Sequence, residues 1–184
     1  MRLTIGEKIS YPCQGPCLVG SMVNRVIDGA PIAFYQLVVL NDAGGKLLIP
    51  TDRVRAVGIR PLLKKSEIPK LLDRLSQPTQ STENSRERAR YNLKLLTSGS
   101  AFKLAELVES LSELSETKTL SFGEHRTLER AKKLLICEIS EVTGESEERA
   151  EEQIDKALKT RKGEPGRTRE SVPVTLISQT AEKR

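Results

Sequence analysis

With 184 residues, 37% of them apolar but only 3% aromatic and none tryptophan, the chain must build its cores from Leu, Ile, Val and Ala, and its length suits a small β domain followed by a helical one. Three cysteines, an odd number, do not make a disulfide framework. The N-terminal stretch MRLTIGEKIS lacks a signal-peptide core, and no segment approaches the roughly 20 apolar residues of a membrane span; a soluble cytoplasmic protein without membrane contact is expected, and its formal charge of +5 suits an anionic partner.

Residues 1–62 read as short strands cut by turns. Lys8 to Tyr11, Cys17 to Ile27, Ile32 to Leu40 and Lys46 to Ile49 are rich in β-branched or aromatic residues. Gly15-Pro16, Asp28-Gly29 and the run Asn41 to Gly45 between them supply tight turns. Closely spaced strands of this kind predict a small, strongly bent antiparallel barrel. From Ser66 the period becomes helical: Ser66 is placed to cap a short helix through Leu75, and the polar stretch Ser76 to Thr82 reads as a linker, so residues 63–82 form a short helix and linker.

Residues 83–162 read as a helical domain. Asn84 with Glu87 makes a capping box for a helix to Leu96, and Leu104, Leu107, Val108, Leu111 and Leu114 define one apolar stripe of the next. Ser121 and Glu124 form a clearer capping box, followed on one face by Leu128, Ala131, Leu135, Ile139 and Val142 up to Gly144. Ala150, Ile154 and Leu158 mark a last helix, with acidic residues in its first turns where the macrodipole favours them. Residues 163–184, with two prolines and no helical period, read as a flexible tail. The fold class is α+β, a β barrel followed by a compact all-α domain.

Nothing in the chain assembles an active site. His125 is the only histidine, and its Arg- and Glu-rich surroundings read as a solvated helix face. Cys13 and Cys17 flank a Gln-Gly-Pro turn without two further metal ligands nearby, and Cys137 falls in a Leu/Ile run as a small hydrophobe. No enzyme, cofactor, metal or small-molecule substrate is expected. The chemistry that stands out is basic: Arg86, Arg90 and Lys94 recur at i, i+4 and i+8, a row able to follow a phosphate backbone, with Arg88 and Tyr91 close by. No Asn or Gln dyad is poised to read bases.

The opening IGEKISYPCQGPCLVG, then FYQLVVL, LLIP and VRAVGIR, and in the second half TSGSAFKLAELVESL and LSFGEHRTLERAKKLLICEI, together resemble the CarD/CdnL family over about residues 2–158. The resemblance implies a Tudor-like barrel that docks on the β subunit of bacterial RNA polymerase, joined to a helical domain facing promoter DNA near the −10 region, and an effect on open-complex formation. It implies polymerase contacts at Arg25, Leu48, Ile49 and Pro50, made by strand addition, and basic DNA-facing positions at Arg88, Arg90 and Arg126; with Arg86 and Lys94 from the helical row and Ser85 at its head, these make the expected DNA-contacting set. One departure matters: the family tryptophan that wedges into the minor groove aligns with Ser85, which cannot fill an unstacked base step, and Glu87 reverses one basic position. An alternative role is therefore an adaptor whose barrel binds polymerase while its helical domain binds another protein and not DNA.

Overall fold

The structure, a computed structural model, describes residues 2–40, 44–79 and 84–160. Alternating apolar residues build the strands β1 (Lys8–Tyr11), β2 (Gly15–Ile27), β3 (Ala30–Val39) and β4 (Lys46–Pro50), because branched side chains pack well on a pleated surface. A short helix α1 (Val54–Val57) and a two-residue strand β5 (Arg60–Pro61) follow inside the VRAVGIR stretch. They are too short to carry a period, and the sequence alone did not resolve them. The antiparallel sheet runs in the order β4-β3-β2-β1-β5.

Asp28 and Gly29, with φ of 50° and 78°, turn β2 directly into β3, the positive angles that match a tight hairpin to the strand twist. A register shift between Val19 and Met22 bends β2. Gly20 lies in that shift, where an added Cβ would stand 3.1 Å from the Gln36 carbonyl oxygen. Ile9, Cys17, Val19, Leu37 and Ile49 close with Val54 and Ile59 into the barrel core. The sheet and the helices after it form the expected α+β fold, a Tudor-like β domain followed by an all-α one.

The second core is assembled by α2 (Ile68–Ser76), α3 (Ser85–Thr97), α4 (Ala101–Thr117), α5 (Phe122–Thr143) and α6 (Glu147–Thr160). The whole stripe Leu104, Leu107, Val108, Leu111 and Leu114 is buried against Ala131, Leu135, Ile139, Ala150 and Ile154. At the start of α5 the Ser121 hydroxyl accepts from the Glu124 N–H, and the Glu124 carboxylate accepts from the Ser121 N–H at 2.9 Å. Gly144 ends the helix with φ 77°, a left-handed cap that glycine adopts without strain.

Two expectations about the middle of the chain are corrected. Ser66 lies inside a 3₁₀ turn, Lys65–Glu67, so α2 starts later, and it is the Glu67 carboxylate that accepts from the Lys64 N–H at 2.8 Å. More important, Leu71 and Leu75 are fully buried in the helical core, so the short helix expected before the linker packs into the helical domain that was expected to begin only after it. Its apolar face is complete only against α4 and α6, a partnership that a 9-residue segment does not reveal by itself. The rest of the expected linker, from Gln80, and the expected tail of residues 163–184 lie outside the described residues.

The two domains are joined along one face of α5. Arg130, Leu134, Glu138 and Glu141 recur along that face and meet the barrel. The Arg130 guanidinium donates to the Cys13 carbonyl at 3.0 Å, and the Lys8 ammonium lies 2.6 Å from Glu141. Leu134 packs beside Gly15. Gly99, with φ 72°, sits so close to the Gly58 carbonyl oxygen that an added Cβ would lie 2.9 Å from it. The domains therefore hold one another through charge, packing and a glycine approach.

Candidate functional site

β4 is the terminal strand of the sheet, so one side of its backbone is unpaired. The Val39 N–H donates to the Gly45 carbonyl and the Thr51 N–H to the Ala33 carbonyl. Alternation along an antiparallel ladder therefore turns the peptide groups of Leu47 and Ile49 toward β3 and leaves those of Lys46 and Leu48 on the open side. Pro50 continues that outer row without an N–H, and its carbonyl accepts from the Arg53 N–H at 3.0 Å. An added strand thus finds a short template that ends at Pro50.

The register also decides which side chains share a face. Leu48 stands opposite Gln36, Pro50 opposite Phe34, Phe34 opposite Val23, and Ile32 opposite Arg25. Because side chains alternate across a strand, Arg25, Leu48 and Pro50 fall on one face of the sheet. Leu48 is 40% exposed and Arg25 is exposed. Ile49, expected beside them, is 2% exposed and points into the barrel core, which corrects its side chain from a contact to a core residue.

On the helical domain Asn84 caps α3 by accepting from the Arg86 N–H at 3.0 Å. Ser85, Arg86, Arg90 and Lys94 are exposed, the last three along one side. Arg88 departs from them. It is 5% exposed, and its Nε and Nη2 each lie 2.8 Å from Glu124 Oε1. It ties α3 to the N-terminus of α5 and has no surface from which to meet a phosphate. The spacing could not distinguish Arg88 from Arg90; only the position of Glu124 does.

Burial works to raise the Glu124 carboxyl, but hydrogen bonds from the Ser121 hydroxyl and N–H and from Arg88 outweigh it and hold the group below its usual value. Tyr91 donates to Glu106 of α4 at 2.5 Å, and that bond, with partial burial, pushes its phenol up. The ring thus braces α3 on α4. Arg126, on α5, is exposed with its guanidinium 5.7 Å from the ring centre of Phe122.

His125 is exposed, 3.4 Å from Glu129. Cys13, Cys17 and Cys137 are free thiols, and burial pushes Cys17 up to about 11, far from the range of a reactive thiolate. Sequence reasoning passed over Phe122 and Leu93, which are 79% and 60% exposed. Both lie off the apolar stripes of their helices, which is the signal that would have found them.

The β domain thus keeps one open strand edge, and the helical domain packed on it carries the exposed cationic row of α3. Residues 3–63 match the family model described as the CarD-like/TRCF RID domain, and residues 70–155 match that of the CarD C-terminal domain. Between them the two account for most of the chain, which belongs to the CarD family. That is a family of non-enzymatic transcription factors, and its N-terminal domain type interacts with RNA polymerase. Among solved structures, the chain is similar to the solution NMR structure of the 72-residue N-terminal domain of Myxococcus xanthus CarD, at 27% identity and TM-score 0.28, over 33% of this chain and 79% of that one. Among the described residues no helix is long and apolar enough to cross a membrane.

Proposed function

We propose that this protein is a cytoplasmic regulator that binds the β subunit of bacterial RNA polymerase by strand addition to β4 and modulates initiation at promoters through weak, sequence-independent DNA contacts. The observation that carries the polymerase half is the open edge at Lys46 and Leu48, flanked on one face by Arg25, Leu48 and Pro50. Backbone pairing there supplies affinity and the alternate side chains supply selectivity. The DNA half rests on the exposed row Arg86, Arg90 and Lys94, with Ser85 at its head and Arg126 on the neighbouring helix. Such a row binds phosphates without reading bases, so its affinity falls steeply with salt.

The burial of Arg88 against Glu124, with Ser85 at the place of the family tryptophan, favours the second reading, an adaptor that binds polymerase and another protein and ignores DNA. Pull-down with a fragment of the polymerase β lobe, comparing wild type with Pro50→Arg, tests the edge: binding by wild type and loss in the variant are expected, and undiminished binding by the variant overturns the assignment. Open-complex lifetime with and without the protein separates the two readings. No change in lifetime together with no salt-dependent DNA binding would leave only the adaptor.

A further inference from the structure

Asn92 of α3 is 5% exposed, yet its side-chain amide makes no hydrogen bond among the described residues. Such a group has given up water without gaining a partner, and buried amides are rarely left that way. What exposure Asn92 keeps is to a cavity of about 280 Å³ between α3 and α5. It lines that space with Ala89, Leu93 and Leu96 of its own helix and Gly123 and Thr127 of the other. The unused donors and acceptor of the amide therefore open into the cavity.

Apart from the exposed Ser85 hydroxyl, the other polar side chains of the wall are already committed. The Thr127 hydroxyl donates to the Gly123 carbonyl at 2.7 Å, and the Ser121 hydroxyl donates to Glu124 at 2.7 Å. Arg88 donates to the other oxygen of that carboxylate at 2.8 Å, so the charge on the wall is balanced. Arg86, Arg90 and Arg126 do not line the cavity. The site thus offers neither a free cation for a phosphate or carboxylate nor a free anion for an amine. It offers one acceptor and two donors beside aliphatic side chains, in a space close to the lower end for small-molecule sites, roughly 300 Å³.

We propose that this cavity binds a neutral small molecule with an amide-like edge, a carbonyl next to an N–H, which pairs with the Asn92 amide while its apolar body rests against Ala89, Leu93 and Leu96. Lactams and primary carboxamides are of this class. The proposal goes beyond the proposed function, since neither polymerase nor DNA is required to fill the site. A bound ligand ties α3 to α5 a second time, beside the Arg88–Glu124 pair, and so stiffens the helices that carry the basic row.

The full chain, isotope-labelled on nitrogen, is titrated with nicotinamide and with pyridone, both neutral, and with nicotinate, which replaces the carboxamide by a carboxylate. The two neutral probes shift the side-chain amide resonances of Asn92, identified by their loss in Asn92→Leu, and raise the melting temperature with concentration, as ligands of the native state do. Nicotinate does neither. Asn92→Leu keeps the size of the side chain and weakens binding of the neutral probes about tenfold or more, the loss expected for the paired hydrogen bonds. The melting temperature of the ligand-free variant rises, because an unpaired buried amide is gone. Ala89→Phe, at an exposed position of the wall, blocks the cavity and weakens binding while leaving Asn92 in place.

Failure of both neutral probes to shift Asn92 at millimolar concentration overturns the site. Equal binding of nicotinate, or unaltered binding in Asn92→Leu or Ala89→Phe, overturns the assigned chemistry. A lowered melting temperature in ligand-free Asn92→Leu overturns the premise, because the amide then already serves the fold.

Discussion

Arg60 of β5 and Glu138 of α5 form a two-pronged ion pair across the domain boundary, with Nη1 and Nη2 at 2.6 and 2.8 Å from the two carboxylate oxygens. Arg60 Nε donates to the Gly99 carbonyl, and the Leu63 N–H donates to Glu138 at 3.1 Å. The Glu138 side chain is 2% exposed, so its charge depends on this partner. Removing Arg60 strands a buried carboxylate. Arg60→Met is expected to cost about 3–5 kcal/mol in urea unfolding. In the double variant Arg60→Met/Glu138→Met most of that loss returns, less roughly 1 kcal/mol for the Leu63 N–H deprived of its acceptor. Spin labels at Val26 and Lys118, both exposed, should report a broadened interdomain distance in the single variant.

Gly99→Ala tests the close approach of the domains. Both Gly99 and Gly144 have positive φ, 72° and 77°, but a Cβ on Gly99 meets the Gly58 oxygen at 2.9 Å while one on Gly144 meets nothing within 4 Å. Gly144→Ala should therefore cost only the left-handed backbone term of about 1–2 kcal/mol. Gly99→Ala should cost more, by thermal denaturation of the two variants side by side. Equal losses would show that the domains yield without resistance at this point.

The capping link between α3 and α5 makes stability depend on acid. The folded Glu124 carboxyl lies below its ordinary value of 4.5, so its stabilisation is complete above that value and is lost as pH falls from there through the lowered folded value. Glu147 contributes in the same direction, lowered first by its hydrogen bond with Lys133. In Glu124→Gln the acid limb of a stability–pH profile should flatten in part, with the remainder due to Glu147 and other carboxylates.

Three of the residues proposed for the polymerase contact should separate by burial. Ile49→Ala empties the barrel core and is expected to cost about 2–5 kcal/mol. Leu48→Ala should change stability by less than about 0.5 kcal/mol, yet weaken binding to a polymerase β-lobe fragment, as should Arg25→Ala. Binding loss in Ile49→Ala alone, with Leu48→Ala and Arg25→Ala at wild-type affinity, would count against the edge.

The arginines of α3 divide in the same way. Arg86→Ala and Arg90→Ala should leave the melting temperature unchanged and each reduce the magnitude of the log–log salt slope of duplex binding by about 0.9. Arg88→Ala should leave the direct phosphate count untouched and destabilise the helical domain by about 1.5–3 kcal/mol, since Glu124 loses its charged donor from α3 and keeps only its bonds from Ser121. Calorimetry and fluorescence anisotropy on the three variants provide both readings.

The sequence by itself determined the class of fold, the strands β1 to β4, the apolar stripes of α4 and α5, and the Ser121 capping box. These are set by period, turn chemistry and contacts within a few residues, all of which are local. It also placed Arg86, Arg90 and Lys94 on one side of a helix, because that follows from spacing alone. Only the tertiary structure decided that α2 belongs to the helical core, that Ile49 and Arg88 turn inward while Leu48 and Arg90 turn out, and that Arg60 finds Glu138. Each of those depends on a partner brought near by the fold from far along the chain, 78 residues away for Arg60 and 36 for Arg88. A residue type shows that a charge or an apolar group exists, but its burial and its pairing are properties of its neighbours.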